Sequence, residues 1–353
     1  MSFNYLGIAI KNLVDNPIKS LSFCDSEQLL RVKISHDELP FLLDSLKELD
    51  FIDEVSIVST CNRFEIYFFS NRQLNNVDVL KMQNIIFIFN KSNLSLNFLS
   101  GRDAELHFIR TYCGLNSGLV SEHEIVFQIQ IAFQQCLKMN YLSTRAKHLL
   151  DFASRIRKKL DIENIFDGGF SYCNVAITQS LKNLNLFDLS KLSISVLGSG
   201  GTALKSVLAL LKLNAQAHNI NIIHRISSSS SQVDAFRELA DFNFMRAKNG
   251  YHVDRVKNSI YSSDLVVFGI DSKNPVVNLD KKLKNKILDF NSNSSCTFNI
   301  GYDLKNYRSA ADLEGLVRDF SERNLNNEGF KSKIFLAENY IKSLTADTLI
   351  SKI

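Results

Sequence analysis

The order of apolar and polar positions changes character twice along the chain. Residues 3–10 alternate as a half-buried strand does, and residues 37–49 bring Leu39, Leu42, Leu43 and Leu46 onto one face of a helix. A β-branched run at 54–59 and an apolar stretch at 65–69 read as two strands. Between them lies a short polar segment, Thr60-Cys61-Asn62-Arg63. Such a segment falls at a turn or strand end, where a side chain can meet a substrate. From residue 101 to about 160 the period becomes helical: Ile125, Ile129, Ala132, Phe133 and Cys136 recur together, as do Ala146, Leu149, Leu150, Ala153, Ile156 and Leu160.

The second change follows Gly168-Gly169, which reads as an interdomain joint. Residues 193–197 form a buried-strand run, followed by Gly198-Ser199-Gly200-Gly201-Thr202-Ala203 and a helix to Leu211. Further strand runs lie at 220–223, 264–268 and 286–290, and the serines at 227–231 read as a polar loop. Strands alternating with helices predict a parallel, doubly wound sheet. Beyond Asn306 the pattern is helical again. Leu313, Leu316, Val317 and Phe320 form one stripe. Phe330, Ile334, Ala337, Ile341 and Leu344 form another, across a polar break at 324–329. That second stripe approaches a heptad seam over too few repeats to predict a coiled coil. The expected architecture is α/β in three parts: an N-terminal α+β domain over 1–163, a Rossmann-type domain with a parallel sheet over 164–304, and a short C-terminal helical tail over 305–353.

Composition narrows the setting. The 353 residues are 45% hydrophobic and 22% charged, ordinary for a soluble globular chain. The N-terminus lacks a secretory pattern, and no apolar run is long enough for a transmembrane helix, so the expected location is cytoplasmic, without a membrane partner. A net charge of +4 permits a nucleic-acid partner without demanding one. Arg145, Lys147, Arg155, Arg157, Lys158 and Lys159 form the basic stretch that could track an RNA backbone, or else a solvated helix face. The six cysteines are scattered with no C-x-x-C pair, so they read as reduced thiols, with no metal site expected.

Two segments carry candidate chemistry. Gly198-Ser199-Gly200-Gly201-Thr202-Ala203 follows a strand and opens a helix, the context in which glycines let the backbone approach a dinucleotide pyrophosphate at a helix N-terminus. The alternative is a sheet-to-helix corner that uses glycine for packing alone. After the second strand of this domain stands His224-Arg225, with no carboxylate to repel a ribose 2′-phosphate, which favours NADPH over NADH. The other segment is Ser59-Thr60-Cys61-Asn62-Arg63-Phe64-Glu65. A cysteine is a strong nucleophile and a good acyl leaving group, and a neighbouring cation lowers its pKa. By residue type alone Cys61 is still one of six cysteines, most of which pack in cores.

The string STCNRFEIY resembles the S-T-C-N-R-x-E-[VI]-Y signature of glutamyl-tRNA reductases, and the resemblance continues in order along residues 50–323. His107 falls at the family's active-site histidine. Gly114-Leu115-Asn116-Ser117 is similar to a G-L-D-S motif, with Asn for Asp. Ser121-Glu122-His123-Glu124-Ile125 with Gln128 resembles G-E-x-Q-I-x-G-Q. Gly198 to Ala203 falls on the NADPH loop, Asn274-Pro275-Val276-Val277 on a turn after a sheet strand, and Asp312-Leu313 on the D-D-L before a long helix. The resemblance implies that Cys61 attacks the glutamyl ester of glutamyl-tRNA(Glu), and that NADPH reduces the thioester to glutamate-1-semialdehyde for tetrapyrrole synthesis. It implies that Thr60, Asn62, Arg63, Ser117, Glu122, His123, Glu124 and Gln128 hold the glutamyl group and the tRNA end. Arg63 would pair with a substrate carboxylate, and His107 would donate or orient a proton. A homodimer and a downstream aminotransferase are the implied partners.

The chain also departs from the pattern. Gly7-Ile8-Ala9-Ile10-Lys11-Asn12 keeps only the lysine of an N-terminal G-x-N-H-K-T-A-P, and Asn291-Ser292-Asn293-Ser294-Ser295 replaces a V-P-R-D. Glu124 stands for a glutamine. The chain stops at Ile353, soon after the family's long helix begins, so the dimerisation region is expected to be shortened. These departures favour a second reading, a non-catalytic relative that binds nucleotide or tRNA. A third, a dehydrogenase of a small shikimate-like acid, leaves the Thr60 to Arg63 segment without a purpose.

Overall fold

The computed structural model describes residues 2–10, 23–24, 34, 38–60, 63–90, 96–165, 170–225, 230–247, 254–270, 272, 274–279, 285–298 and 304–347. The chain forms two compact units, Met1–Phe170 with Ser321–Ile353, and Ser171–Phe320. The joint expected at Gly168-Gly169 lies outside the described residues.

The first unit is built on a mixed sheet of β1 (Ser2–Ile10), β2 (Phe23–Cys24), β3 (Ile52–Ser59), β4 (Arg63–Ser70) and β5 (Asn97–Ser100). β4 lies between β1 and β3, antiparallel to both, in registers that run from Ser2 opposite Ser70 to Ala9 opposite Arg63 and end at Ser59 opposite Phe64. Flanked on both edges, β4 is buried at every position, and its mostly apolar sequence RFEIYFFS suits that place. Around the sheet lie α1 (Leu39–Lys47), α2 (Asn76–Asn90), α3 (Arg102–Tyr112), α4 (Glu124–Lys138) and α5 (Thr144–Ile162); α1, α3 and α4 pack on its strands, α2 on α1, and α5 on α3 and α4. Their buried faces follow the helical period: Leu42, Leu43 and Leu46 in α1; Ile125, Ile129, Phe133 and Cys136 in α4. Each large side chain so buried contributes about 1.5–3 kcal/mol.

The second unit contains α6 (Tyr172–Asn183), β6 (Ile194–Leu197), α7 (Gly201–Lys212), β7 (Ile220–Arg225), α8 (Ser230–Arg237), β8 (Asn243–Ala247), α9 (Asp254–Ser262), β9 (Leu265–Phe268), β10 (Val277–Leu279), β11 (Lys286–Asp289), β12 (Cys296–Phe298) and β13 (Tyr307–Arg308). Six strands form one parallel sheet in the order β13-β11-β9-β6-β7-β8, and β10 pairs with β12 apart from it. This is the doubly wound order in which the chain reverses direction across the sheet between β6 and β9, the place where such folds hold ligands. Ser230 and Ser231 open α8, so the serine run is part helix; residues 226–229 lie outside the described residues.

Two helices end the chain, α10 (Ala310–Leu325) and α11 (Glu328–Asp347). A reciprocal cap starts α10: the Asp312 N–H donates to Ser309 Oγ at 3.2 Å, and the Ser309 N–H to Asp312 Oδ2 at 2.9 Å. The stripe that approached a heptad seam is used within the protomer. Ile334, Ala337 and Ile341 are buried in the first unit's core, with Phe330 and Leu344 packed at its margin.

Candidate active site

At the start of β4 the Thr60 N–H donates to the Arg63 carbonyl at 2.8 Å. The two residues between them in sequence, Cys61 and Asn62, lie outside the described residues. Residues two apart on a strand share a face, so Arg63, Glu65 and Tyr67 point the same way, into the protein. There Arg63 Nη1 donates to Glu65 Oε1 at 2.9 Å, and Nη2 donates to the Asn116 carbonyl at 3.0 Å and to Ser117 Oγ at 3.4 Å. The Tyr67 hydroxyl donates to Glu65 Oε2 at 2.8 Å, and His107 Nε2 lies 3.3 Å from Glu65 Oε1. Glu65 is fully buried and Arg63 is 3% exposed. Burial is the largest single influence and opposes the charge on both, but it is outweighed by the neighbours together: Arg63, His107 and Tyr67 around Glu65, and Glu65, Tyr67, Glu122 and Tyr5 around Arg63. Glu65, bonded also to His107 and Tyr67, is held below the usual carboxylate range, and Arg63 above its ordinary value. Burial pushes the Tyr67 hydroxyl well above its ordinary value, with Glu65 adding to the effect.

Arg63, expected to clamp a substrate carboxylate, is therefore engaged by Glu65 and by the Asn116-Ser117 turn. His107 is 2% exposed, with the Tyr5 ring 4.0 Å away centre to centre. Arg63 and His107 thus converge on one buried carboxylate that the sequence reading quoted without assigning it a role, and Ser117 joins them by accepting from Arg63. Thr111, Asn116, Arg110 and Tyr67 also belong to the cluster. The missed signal was two charged residues, two apart, inside an apolar strand, since charges are almost never fully buried unless paired.

Glu122, His123, Glu124 and Gln128 gather at the start of α4, where His123 is the N-cap residue and Glu124 lies in the first turn. Acidic groups there are favoured by the helix dipole. The His123 N–H donates to the Phe170 carbonyl at 3.1 Å, and His123 Nδ1 accepts from Arg157 Nη2 at 3.2 Å. The turn that leads in is tight. Gly114 has φ +78°, and a Cβ there would lie 3.0 Å from Ser121 Cα and from the Glu122 nitrogen. Gln128 is half-buried one turn along α4.

The basic stretch is only partly a surface. Arg157 is buried and also donates to the Cys113 carbonyl at 2.8 Å, and Arg145 Nη2 pairs with Glu54 at 2.8 Å. Lys159 lies over the Tyr340 ring, leaving Lys147, Arg155 and Lys158 as exposed members not tied into these contacts. Four described thiols, Cys113, Cys136, Cys173 and Cys296, are buried and unpaired by disulfide. Burial pushes Cys113 to about 12 and raises Cys136 and Cys296, which makes those three poor nucleophiles.

In the second unit the glycine loop sits where the sheet order reverses. Gly198, straight after β6, has φ +122°, and its N–H donates to the Ile223 carbonyl at 2.8 Å. A Cβ on Gly198 would fall 2.5 Å from the Gly269 carbonyl oxygen, so the crossing of the β6 and β9 ends requires glycine there. Gly200 caps α7 and Gly201 is its first residue; a Cβ on either would meet open space. Ser199 is half-buried, Thr202 is exposed and Ala203 is buried against Gly269. The loop therefore leaves room at a helix N-terminus, the cradle a pyrophosphate needs. His224, buried, donates from Nδ1 to the Arg225 carbonyl at 3.0 Å, and Arg225 is exposed at the end of β7.

Residues 22–163 match the family described as "Glutamyl-tRNAGlu reductase, N-terminal domain". The chain is 29% identical over 231 residues to the glutamyl-tRNA reductase of Sulfolobus acidocaldarius, an alignment that covers 65% of this chain and 52% of that protein. With the glutamyl-tRNA reductase of Cytophaga hutchinsonii it shares 23% identity over 329 residues, covering 91% of this chain and 73% of the relative. For the first of these the chain spans about half the relative's length. The solved structure of a glutamyl-tRNA reductase from Methanopyrus kandleri superposes with a TM-score of 0.50 at 18% identity, covering 99% of this chain and 79% of that one, which shows a shared fold.

Proposed function

We propose that the chain, like the glutamyl-tRNA reductases it is similar to, reduces glutamyl-tRNA(Glu) to glutamate-1-semialdehyde with NADPH, through a thioester on Cys61. The thiolate attacks the glutamyl carbonyl carbon; the C–S bond forms, the ester C–O bond breaks, and the tRNA ribose oxygen leaves and takes up a proton. NADPH, when bound, supplies the hydride that turns the thioester into the aldehyde and returns the thiolate.

The observation that carries this reading is the cluster at the start of β4. Two residues after Cys61 in the chain, Arg63 is held by Glu65, Asn116 and Ser117, with His107 on the Glu65 carboxylate. Three packed charged or polar groups hold the strand whose first residue follows Cys61 by two positions, and a nucleophile beside such a rigid element is the arrangement an acyl transfer needs. The buried, proton-holding Cys113, Cys136 and Cys296 support the assignment of Cys61. Thr60, Asn62, Glu122, His123, Glu124 and Gln128 would hold the glutamyl group and the tRNA end. Gly198, Ser199, Gly200, Gly201, Thr202 and Ala203 would carry the pyrophosphate. His224 and Arg225 would meet the ribose, and the Arg225 guanidinium suits a 2′-phosphate. Among the described residues no helix is long and apolar enough to cross a membrane. A cytoplasmic setting, pairing into a homodimer and delivery of the aldehyde to an aminotransferase belong to the same reading.

The test uses tRNA charged with labelled glutamate, with and without NADPH, beside a Cys61→Ser variant. Labelled aldehyde from the wild type and none from the variant is the expected result. Equal aldehyde from both removes Cys61 from the mechanism. Tight binding of tRNA with neither deacylation nor aldehyde favours a non-catalytic relative.

A further inference from the structure

Helix α4 leads away from the candidate site with a ring on its outer face that the packing of the helix does not use. Its C-terminal end lies along β3, where Cys136 is hydrogen-bonded to the Ser56 side chain and the Ile57 backbone. Its other end lies toward Arg63, on which the charge of Glu122, just before the helix, acts. The buried face carries Ile125, Ile129, Phe133 and Cys136. Turned away from it, His123, Phe127 and Ile131 follow one another at four-residue steps, which makes them neighbours along one ridge. Phe127 is 63% exposed and Ile131 38%, so an aromatic ring stands open to solvent within one turn of Glu124, with apolar surface continuing beyond it. The pattern that this stretch resembles, G-E-x-Q-I-x-G-Q, has glycine where Phe127 stands, so the ring is this chain's own addition.

Cations stand beside this ridge. Helices α4 and α5 lie side by side and run in opposite directions: Gln130 and Ser154 both bond to the Tyr112 hydroxyl, and nearer the start of α4 His123 meets Arg157, further along α5. Lys158, four residues after Ser154, shares the face of α5 turned toward α4, and Arg155 is its neighbour three residues back; both are exposed. From Ile125 to Lys138 α4 has no carboxylate, and the exposed acid Asp151 of α5 lies about two turns from Lys158. An open ring flanked by cations suits an unpaired nucleotide, whose base stacks on any aromatic face while its phosphate takes the charge. We propose that this outer face is a stacking platform for the unpaired 3′ nucleotides of a tRNA acceptor end, with a base on Phe127 and the following phosphates against Lys158 and Arg155. The assignment rests on the proposed reading that the substrate is glutamyl-tRNA(Glu). That reaction puts the terminal ribose at Cys61. Phe127 lies three residues, about 4.5 Å along the helix axis, from Glu124, so nucleotides next to the ester come within reach of the ring.

Binding of uncharged tRNA(Glu) to the full chain without NADPH, followed by fluorescence anisotropy, tests this apart from turnover. Two forms are compared, intact tRNA and tRNA trimmed of its unpaired 3′ nucleotides. Phe127→Ala is expected to lose about tenfold in affinity for the intact form and nothing for the trimmed form, and Phe127→Tyr, which keeps the ring, to lose neither. Lys158→Ala and Arg155→Ala are each expected to lower the slope of log affinity against log salt by about 0.7, a slope that Phe127→Ala leaves unchanged. Equal losses on both forms in Phe127→Ala, or no loss on either, overturn the platform. So does a Phe127→Ala variant that changes the sedimentation of the protein alone, since the face would then be a contact between copies. Unchanged salt slopes in both α5 variants overturn the phosphate track. Aldehyde formation by the wild type, with Phe127→Ala binding intact tRNA as tightly, would overturn this inference alone. The expected binding pattern with no aldehyde formed would overturn the proposed activity and leave the platform standing.

Discussion

Ser121 is the residue whose replacement gives the sharpest quantitative test of the packing described above. It has φ +69°, in the left-handed region, and it is fully buried. Its backbone is locked there: the N–H donates to the Gly114 carbonyl at 3.0 Å, and its carbonyl accepts from the Phe170 N–H at 3.2 Å. Its hydroxyl has no hydrogen-bond partner. A non-glycine residue in this conformation costs about 1–2 kcal/mol, and a buried polar group left unsatisfied costs about 1–3 kcal/mol. Glycine removes both penalties and adds back roughly 0.5–1 kcal/mol of unfolded-chain entropy. Ser121→Gly is therefore expected to stabilise the first unit by about 1–4.5 kcal/mol, and Ser121→Ala by less, because alanine loses the hydroxyl but keeps the strain. Urea titration read by amide exchange in peptides from α3, β4 and α4 follows this unit alone. Ser121→Ala more stable than Ser121→Gly would show that the strain term is absent. A loss of stability in both would show that the hydroxyl is satisfied in the folded protein.

Three other expectations test the remaining parts. Glu65→Gln leaves the Arg63 guanidinium buried without its anion and is expected to cost about 3–5 kcal/mol in the same exchange measurement; under 1 kcal/mol would refute the buried pair. Since Glu65 has a lowered folded pKa, its contribution is present above the unfolded carboxylate value of about 4.3 and fades as pH falls through the folded value, so the wild type should lose this stability on acidification and Glu65→Gln should not. Gly198→Ala should destabilise the second unit, whereas Gly200→Ala, where the added methyl meets open space, should leave its melting unchanged and weaken NADPH binding at least tenfold by fluorescence titration; unchanged binding in Gly200→Ala would reduce the loop to a packing corner. Arg225→Glu should weaken NADPH more than NADH, and equal losses for the two would separate Arg225 from the 2′-phosphate.

What was legible in the sequence follows from how local each signal is. The glycine loop and its flanking strand are contiguous, so Gly198 to Ala203 could be placed before β6 and α7 were seen. The faces of α4 and α5 follow from one helix's own period, and their buried residues are the ones that recur in the sequence. The strand β8, with the pattern NFMRA at a sheet edge, has little alternation to detect, and β10, β12 and β13 have only two or three residues each. The apolar row of α11 was visible, but periodicity names a buried face without naming its partner. That row packs on its own protomer. The basic stretch shows a related limit: charge in a sequence does not say whether a guanidinium meets water or, like Arg157, a buried carbonyl.

The cluster around Glu65 lies beyond this limit because no segment contains it. Arg63 and Glu65 come from β4, His107 and Arg110 from α3, Asn116 from the turn after α3, and Glu338 from α11. Read one at a time, each has an ordinary explanation as a surface charge, a helix residue or a turn residue. Together they form one buried hydrogen-bonded cluster that joins β4, α3, the turn after it and α11. The departure of Asn116 from the aspartate of the resembled motif then falls on a side chain that accepts from Arg110 and donates to Thr111 and to the His107 carbonyl. That amide fits its place because it has an oxygen for the Arg110 guanidinium and hydrogens for two oxygens on the other side, a pairing an aspartate at neutral pH has no hydrogens to make.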